Sequence, residues 1–246
     1  MHSISAATLL DVWERGQPLP PAHRGLLLLQ AADPDAALES LRQLAVGARD
    51  TRLMALRERL MGGRIESVVA CPACGEQLEL DVPLARLRAE LAKPSDRKDG
   101  AALSVTEAGY TVRFRVPTAG DLVAVVDDGA DGPDGLLHRC VLEAQRGGEA
   151  VAKADLPARV VDAIAARMAA ADPMARVQLA LTCPACDHRW KAPFDIVAYL
   201  WAEIDDWAQR MLRTVHLLAS AYGWPEADIL ALSGPRRQTY LSHIHA

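Results

Sequence analysis

The sequence predicts an α+β fold, mostly helical, with a long C-terminal amphipathic helix and small β-hairpins. Three observations lead there. Val197, Leu200, Ile204, Trp207, Met211, Val215, Leu218 and Tyr222 recur at spacings of three and four, one face of a helix. Two Cys-Pro-Ala-Cys units, at 71–74 and 183–186, are flanked by alternating apolar and polar residues, the period of a strand. The 246 residues are 50% hydrophobic and 24% charged, the composition of a chain that buries a core.

Residues 1–65 read as an N-terminal helical segment. Leu9, Leu10 and Trp13 open a first helix, Pro18, Pro20 and Pro21 break it, and residues 22–31 make a second. Val46, Leu53, Leu56 and Leu60 mark a third, stopped by Gly62-Gly63. Arg49, Arg52, Arg57, Arg59 and Arg64 decorate it against only Asp50 and Glu58, which predicts a solvated basic face. Residues 66–92 hold the first cysteine unit and a short helix from Pro83 to Leu91.

Residues 93–173 read as an inserted segment. It begins with a polar linker, Lys93 to Gly100. A hairpin follows, in which Leu103, Val105 and Tyr110, Val112, Phe114, Val116 alternate about Ala108-Gly109. Helices are expected at Leu136 to Ala144 and Leu156 to Ala171. The run from Asp127 to Gly135 invites a calcium reading. It fails, with Gly129 at the third position and His138 at the twelfth, where a bidentate Glu is needed, and it reads as an acidic surface loop. Residues 174–195 carry the second cysteine unit, and 196–246 the long helix and a short helical tail. Asp195 is its expected N-cap and Gly223 its stop, with Pro225 and Pro235 opening short helices through Leu232 and Ile244.

The cysteine spacing points to a metal. Two residues between thiols let both sulfurs turn toward one ion, and Cys71, Cys74, Cys183 and Cys186 together supply a tetrahedral zinc site. Gly75 and Asp187 follow the two units and tolerate the left-handed backbone of a knuckle turn. Leu78, Leu80 and Val82 alternate after the first unit. Val177, Leu179 and Leu181 alternate before the second, and Trp190, Ala192 and Phe194 after it. These flanks predict a split four-cysteine zinc ribbon with a large insertion and one structural Zn2+ per chain. Cys74 and Cys183 lie 109 positions apart, and closing such a loop costs about 4 kcal/mol. A structural zinc contributes on the order of 10–16 kcal/mol, so one shared ion outweighs the closure. Three other readings compete: disulfides, a redox Cys-x-x-Cys, and an ancestral ribbon that no longer holds metal; the first two fit less well. No basic region precedes an apolar leader at Met1–Ile4, which points to a reducing compartment, and strand-like residues follow each unit where a redox motif opens a helix. Cys140 reads as a small buried apolar residue, and His188 is superfluous beside four thiolates.

Several functions are disfavoured. A net charge of −5 argues against a protein built to hold nucleic acid, and no apolar run approaches the roughly 18 residues of a membrane span. None of Lys93, Lys98, Lys153 or Lys191 precedes Ser or Thr, so there is no P-loop; G-x-G-x-x-G, H-E-x-x-H and G-x-S-x-G are absent as well. His243 and His245 are poorly spaced for a helical ligand pair, and Asp205-Asp206 read as solvated acids. A four-thiolate zinc leaves no open position for substrate. The expectation is a non-enzyme without a small-molecule substrate.

The order of features is also informative. Leu9-Leu10-Asp11-Val12-Trp13-Glu14-Arg15-Gly16 stands near the start, followed by the two Cys-Pro-x-Cys knuckles. Ala192-Pro193-Phe194-Asp195-Ile196 leads into the Trp-bearing helix. Ala221-Tyr222-Gly223-Trp224-Pro225-Glu226-Ala227-Asp228-Ile229-Leu230-Ala231-Leu232-Ser233, with Arg236-Arg237-Gln238-Thr239-Tyr240-Leu241, completes the pattern. In these features the chain resembles bacterial baseplate proteins encoded with contractile injection systems and phage-like tails, related to the baseplate hub assembly protein of T-even phages. The resemblance implies a structural or assembly role in the plate that joins tail tube, sheath and spike. It also implies baseplate, hub or spike proteins as partners, and a place in the bacterial cytoplasm and the assembled particle. Trp224, Arg236, Arg237, Tyr240 and Leu241 are expected to form a docking element, since aromatic and Arg side chains anchor interfaces; the alternative is that this segment simply packs on the chain's own body. The alternative is a zinc-ribbon nucleic-acid-binding regulator. Arg189, Lys191 and Trp190 suit it, but Glu76, Glu79 and Asp81 would repel a phosphate backbone.

Overall fold

The computed structural model describes residues 4–91, 102–129 and 133–244. The linker expected at Lys93–Gly100, the centre of the acidic run, and His245 lie outside the described residues. The chain is α+β and divides into two compact units, Met1–Asp35 with Val197–Ala246, and Ala36–Ile196.

The first unit opens with α1 (Ala6–Gly16) and α2 (Pro21–Ala32). Ser5 caps α1, its hydroxyl accepting from the Thr8 N–H at 3.1 Å, and Pro21 sits in the first turn of α2, where its missing donor costs nothing. The second unit follows with α3 (Leu38–Arg42), α4 (Val46–Met61), β1 (Arg64–Ala70), β2 (Gln77–Pro83) and α5 (Leu84–Leu91). Next come β3 (Leu103–Glu107), β4 (Tyr110–Phe114), α6 (Ala119–Asp127), α7 (Pro133–Cys140), β5 (Val141–Arg146) and β6 (Glu149–Ala150). It closes with α8 (Ala158–Ala171), β7 (Gln178–Thr182) and β8 (Arg189–Pro193). The chain then returns to the first unit through α9 (Ile196–Tyr222), α10 (Glu226–Ala231) and α11 (Gly234–Ile244).

In the second unit, β1 pairs with β2 and β7 with β8, both antiparallel, as separate two-stranded hairpins. The segment between them carries its own antiparallel sheet in the order β3-β4-β5-β6. Val112, Phe114 and Val141 from that sheet meet Val160 and Ile164 of α8, all at most 1% exposed, so this segment has a core of its own. The β3–β4 turn falls where expected, with Ala108 and Gly109 both at positive φ.

Two expectations fail in this unit. The helix expected through Ala144 stops at Cys140, and Val141–Arg146 becomes a strand, with Ala144 opposite Val112. Pairing along an existing strand outweighs the helical spacing of a short apolar run. The basic face of α4 is also only partly solvated. Arg49 and Arg57 are buried, the first donating to Asp50 at 2.7 Å and the second to the Gly62 carbonyl at 2.7 Å. Arg64 pairs with Asp81, and Arg52 and Arg59 face solvent.

In the first unit the apolar stripe of α9 is buried as the periodicity predicts, at Val197, Leu200, Ile204, Met211, Val215 and Leu218. Gly223, at φ 68°, ends the helix, its N–H donating to the Ala219 carbonyl at 2.8 Å. Asp205 is not simply a solvated acid: its Oδ1 accepts from Trp13 Nε1 at 2.7 Å and Gln17 Nε2 at 3.0 Å, tying α1 to α9. Gly16 faces the Trp201 ring, which a Cβ there would approach to 2.1 Å. Among the described residues no helix is long and apolar enough to cross a membrane.

Candidate metal centre

Each hairpin tip is a knuckle built by the same backbone bonds. In the first, the Cys71 N–H donates to the Glu76 carbonyl at 2.8 Å and the Gly75 N–H to the Cys71 carbonyl at 2.9 Å. In the second, the Cys183 N–H donates to the His188 carbonyl at 2.9 Å and the Asp187 N–H to the Cys183 carbonyl at 3.0 Å. Gly75 and Asp187 occupy the same place in the two loops and both have positive φ, 78° and 55°. The short Asp side chain tolerates this conformation where a branched one would be strained.

The tips bring together four sulfurs that are remote in sequence. All four lie within 4.8 Å of one another, with Cys71 Sγ to Cys186 Sγ at 3.8 Å and Cys74 Sγ to Cys183 Sγ at 3.6 Å. Sulfurs bound at about 2.3 Å around a tetrahedral metal are separated by about 3.8 Å, so the cage has the dimensions of a four-thiolate site. None of the four is in a disulfide. Cys71 and Cys183 are buried against Leu78, with Val69 and Trp190 packed around them, while Cys74 and Cys186 reach the surface.

The charge chemistry agrees. Burial pushes the Cys71 thiol up, but the N–H groups of Ala73 and Cys74 win and bring it down to about 7. Cys186 accepts from the His188 N–H, yet the neighbouring thiols push it up to about 12. Four thiols this close resist common ionisation, and a divalent cation at their centre removes that resistance. Cys140 is a buried thiol pushed up to about 11 by burial, and it stands apart from the cluster. His188 stacks on Trp190 with centroids 5.9 Å apart and is not among the clustered ligands.

The expected docking residues lie at the other end of the chain. Trp224 stacks on Tyr222 at 4.7 Å and meets Tyr240 edge-on at 4.8 Å. Trp224, Tyr240 and Leu241 pack around Val215, Leu218 and Ile229, holding the tail against α9, while Tyr222 is exposed. Arg237 donates to the carbonyls of Ile229, Leu230 and Leu232 at the end of α10, and Arg236 is exposed. Val69 in the sulfur surround is absent from the sequence reading. It stands in a Val68-Val69 doublet that obscures the period of two.

Comparison with known proteins adds one finding. The family described as T4 bacteriophage base plate protein matches residues 28–200, a span that holds both cysteine units and stops short of the tail motif. No curated protein and no solved structure matches the chain. With more than half of its length matched, the chain belongs to the T4 bacteriophage base plate protein family.

Proposed function

We propose that this chain is a non-enzymatic structural or assembly component of the baseplate of a contractile tail or injection system. The family match over residues 28–200 carries the reading. The protein acts through contacts with other baseplate, hub or spike proteins. Its place is the bacterial cytoplasm and then the assembled particle, with no specific nucleic acid, membrane insertion or small-molecule substrate involved.

One structural zinc, held by Cys71, Cys74, Cys183 and Cys186, joins the two hairpins into a split ribbon across the segment 93–173. The 3.6 and 3.8 Å sulfur separations support this. Bound there, the metal serves as a cross-link: the cage is complete with four thiolates and offers no position for substrate. The tail from Trp224 onward serves as the docking element. Arg236 is its exposed residue, Trp224 and Tyr240 are half-buried against α9, and Arg237 and Leu241 support it from within.

Removing the gene from a producing strain tests the reading. The expected result is loss of complete tails with baseplates, restored by the wild-type gene. Arg236→Glu, an exposed substitution, is expected to leave folding intact and weaken co-assembly. Normal particles in the deletion strain would refute the proposal.

A further inference from the structure

The two knuckles present their sulfurs in crossed pairs. Cys74 Sγ lies 3.6 Å from Cys183 Sγ and Cys186 Sγ lies 3.8 Å from Cys71 Sγ, so both contacts run between the knuckles. Each pair joins one exposed sulfur to one buried sulfur: Cys74 and Cys186 reach solvent, while Cys71 and Cys183 are 2% and 0% exposed. An oxidant in solution therefore meets Cys74 or Cys186 first, with a second sulfur already in place behind it. The remaining thiol, Cys140, is fully buried and stands apart from the cluster, so it offers no competing partner. A bridge in either crossed pair links the same two hairpins that the metal links in the zinc reading.

We propose that the four cysteines form a redox-convertible cross-link, in which oxidation by a peroxide replaces the ion with two disulfides, Cys71–Cys186 and Cys74–Cys183. The inference rests on the zinc reading and concerns what these residues do when the metal leaves. An exposed thiolate attacks hydrogen peroxide. An S–O bond forms, the O–O bond breaks and hydroxide departs, leaving a sulfenic acid. The buried thiolate of the crossed pair then attacks that sulfur; an S–S bond forms, the S–O bond breaks and a second hydroxide departs. Repeated in the other pair, the sequence oxidises four thiolates and reduces two peroxides. Four protons carry the oxygen away as four waters, and Zn2+ is released. The bridged residues are 115 and 109 positions apart, so each disulfide closes a long loop and strongly constrains the unfolded chain. The hairpins thus stay joined by metal in a reducing compartment and by sulfur in an oxidising one.

Titration of the full, zinc-loaded chain with hydrogen peroxide tests it. Zinc release is followed with a colorimetric chelator, and the bridges are located by mass spectrometry of unreduced peptides. Metal analysis beforehand judges the zinc reading separately: a chain purified without zinc would fail that reading, while the bridge map decides the pairing in either case. Two peroxides consumed per zinc released, both crossed bridges, and Cys140 still a thiol are expected. Reduction with dithiothreitol should restore zinc binding. The oxidised, zinc-free chain should keep the slow amide exchange of residues 64–83 and 178–193 that the reduced, zinc-free chain loses. Bridges within each knuckle, Cys71–Cys74 and Cys183–Cys186, would overturn the proposal. So would sulfinic or sulfonic acids in place of bridges, or zinc retained in excess peroxide.

Discussion

Asp121 organises more of the second unit than a single carboxylate usually does. It accepts from Arg115, whose NH2 lies 2.8 Å from Oδ1, and from the Thr118 N–H at 2.8 Å, while Thr118 caps α6 in return. Burial pushes its carboxyl up, but the hydrogen bonds from Arg115 and Thr118 prevail and hold it below the usual carboxylate range. A carboxyl depressed in the folded state stabilises it fully above the unfolded value, about 3.9. That contribution is lost as pH falls through the lower folded value. Asp121→Asn should therefore cost about 2 kcal/mol at neutral pH in urea unfolding and lack this acid-side loss. The Thr-x-x-Asp pattern of this cap is a signal that spacing alone carries, although the sequence reading does not use it. The partners of Arg49 and Arg57 carry no such signal. One is the adjacent Asp50, the other a backbone carbonyl beyond the helix end, and helical periodicity assigns both arginines to solvent.

Among the elements, the knuckles are the most legible in the sequence because their chemistry is local. Two-residue spacing, a residue tolerant of positive φ and alternating flanks are all contained within about a dozen positions. The strand at Val141–Arg146 is not legible, since its identity depends on a partner strand about 30 positions earlier. The hairpins β1–β2 and β7–β8 meet through a small cluster around Cys71, Leu78 and Cys183, and a lone two-stranded hairpin is marginal in water. If one metal ion joins the four sulfurs, chelating it should raise amide exchange across residues 64–83 and 178–193. The β3–β4–β5–β6 sheet, with its own core against α8, should keep its protection. Hydrogen exchange with and without a chelator measures both regions. A uniform rise over residues 36–196 would show that the metal supports the whole unit and not the hairpins alone.

For the molecule as a whole, the net charge of −5 and the placement of the cations bear on the nucleic-acid alternative. Arg49 and Arg57 are buried and Arg64 is paired, while the exposed face of β1–β2 is acidic. Few phosphates could be neutralised, so any retention on DNA should vanish by about 0.2 M salt. A sub-micromolar affinity that persists there, measured by titration, would revive the alternative. The long α9 and the family resemblance are readable from sequence, because one rests on periodicity and the other on motifs in order. The division into two compact units is not, since residues 1–35 find their partners beyond residue 196.

Metal analysis of the purified chain beside its Cys71→Ser and Cys183→Ser variants tests the central claim most directly, that one ion joins two distant knuckles. The account predicts one zinc per chain in the wild type and its loss, with lowered melting, in both variants alike, because each knuckle alone holds half a site. Full zinc and unchanged melting in both variants would contradict it.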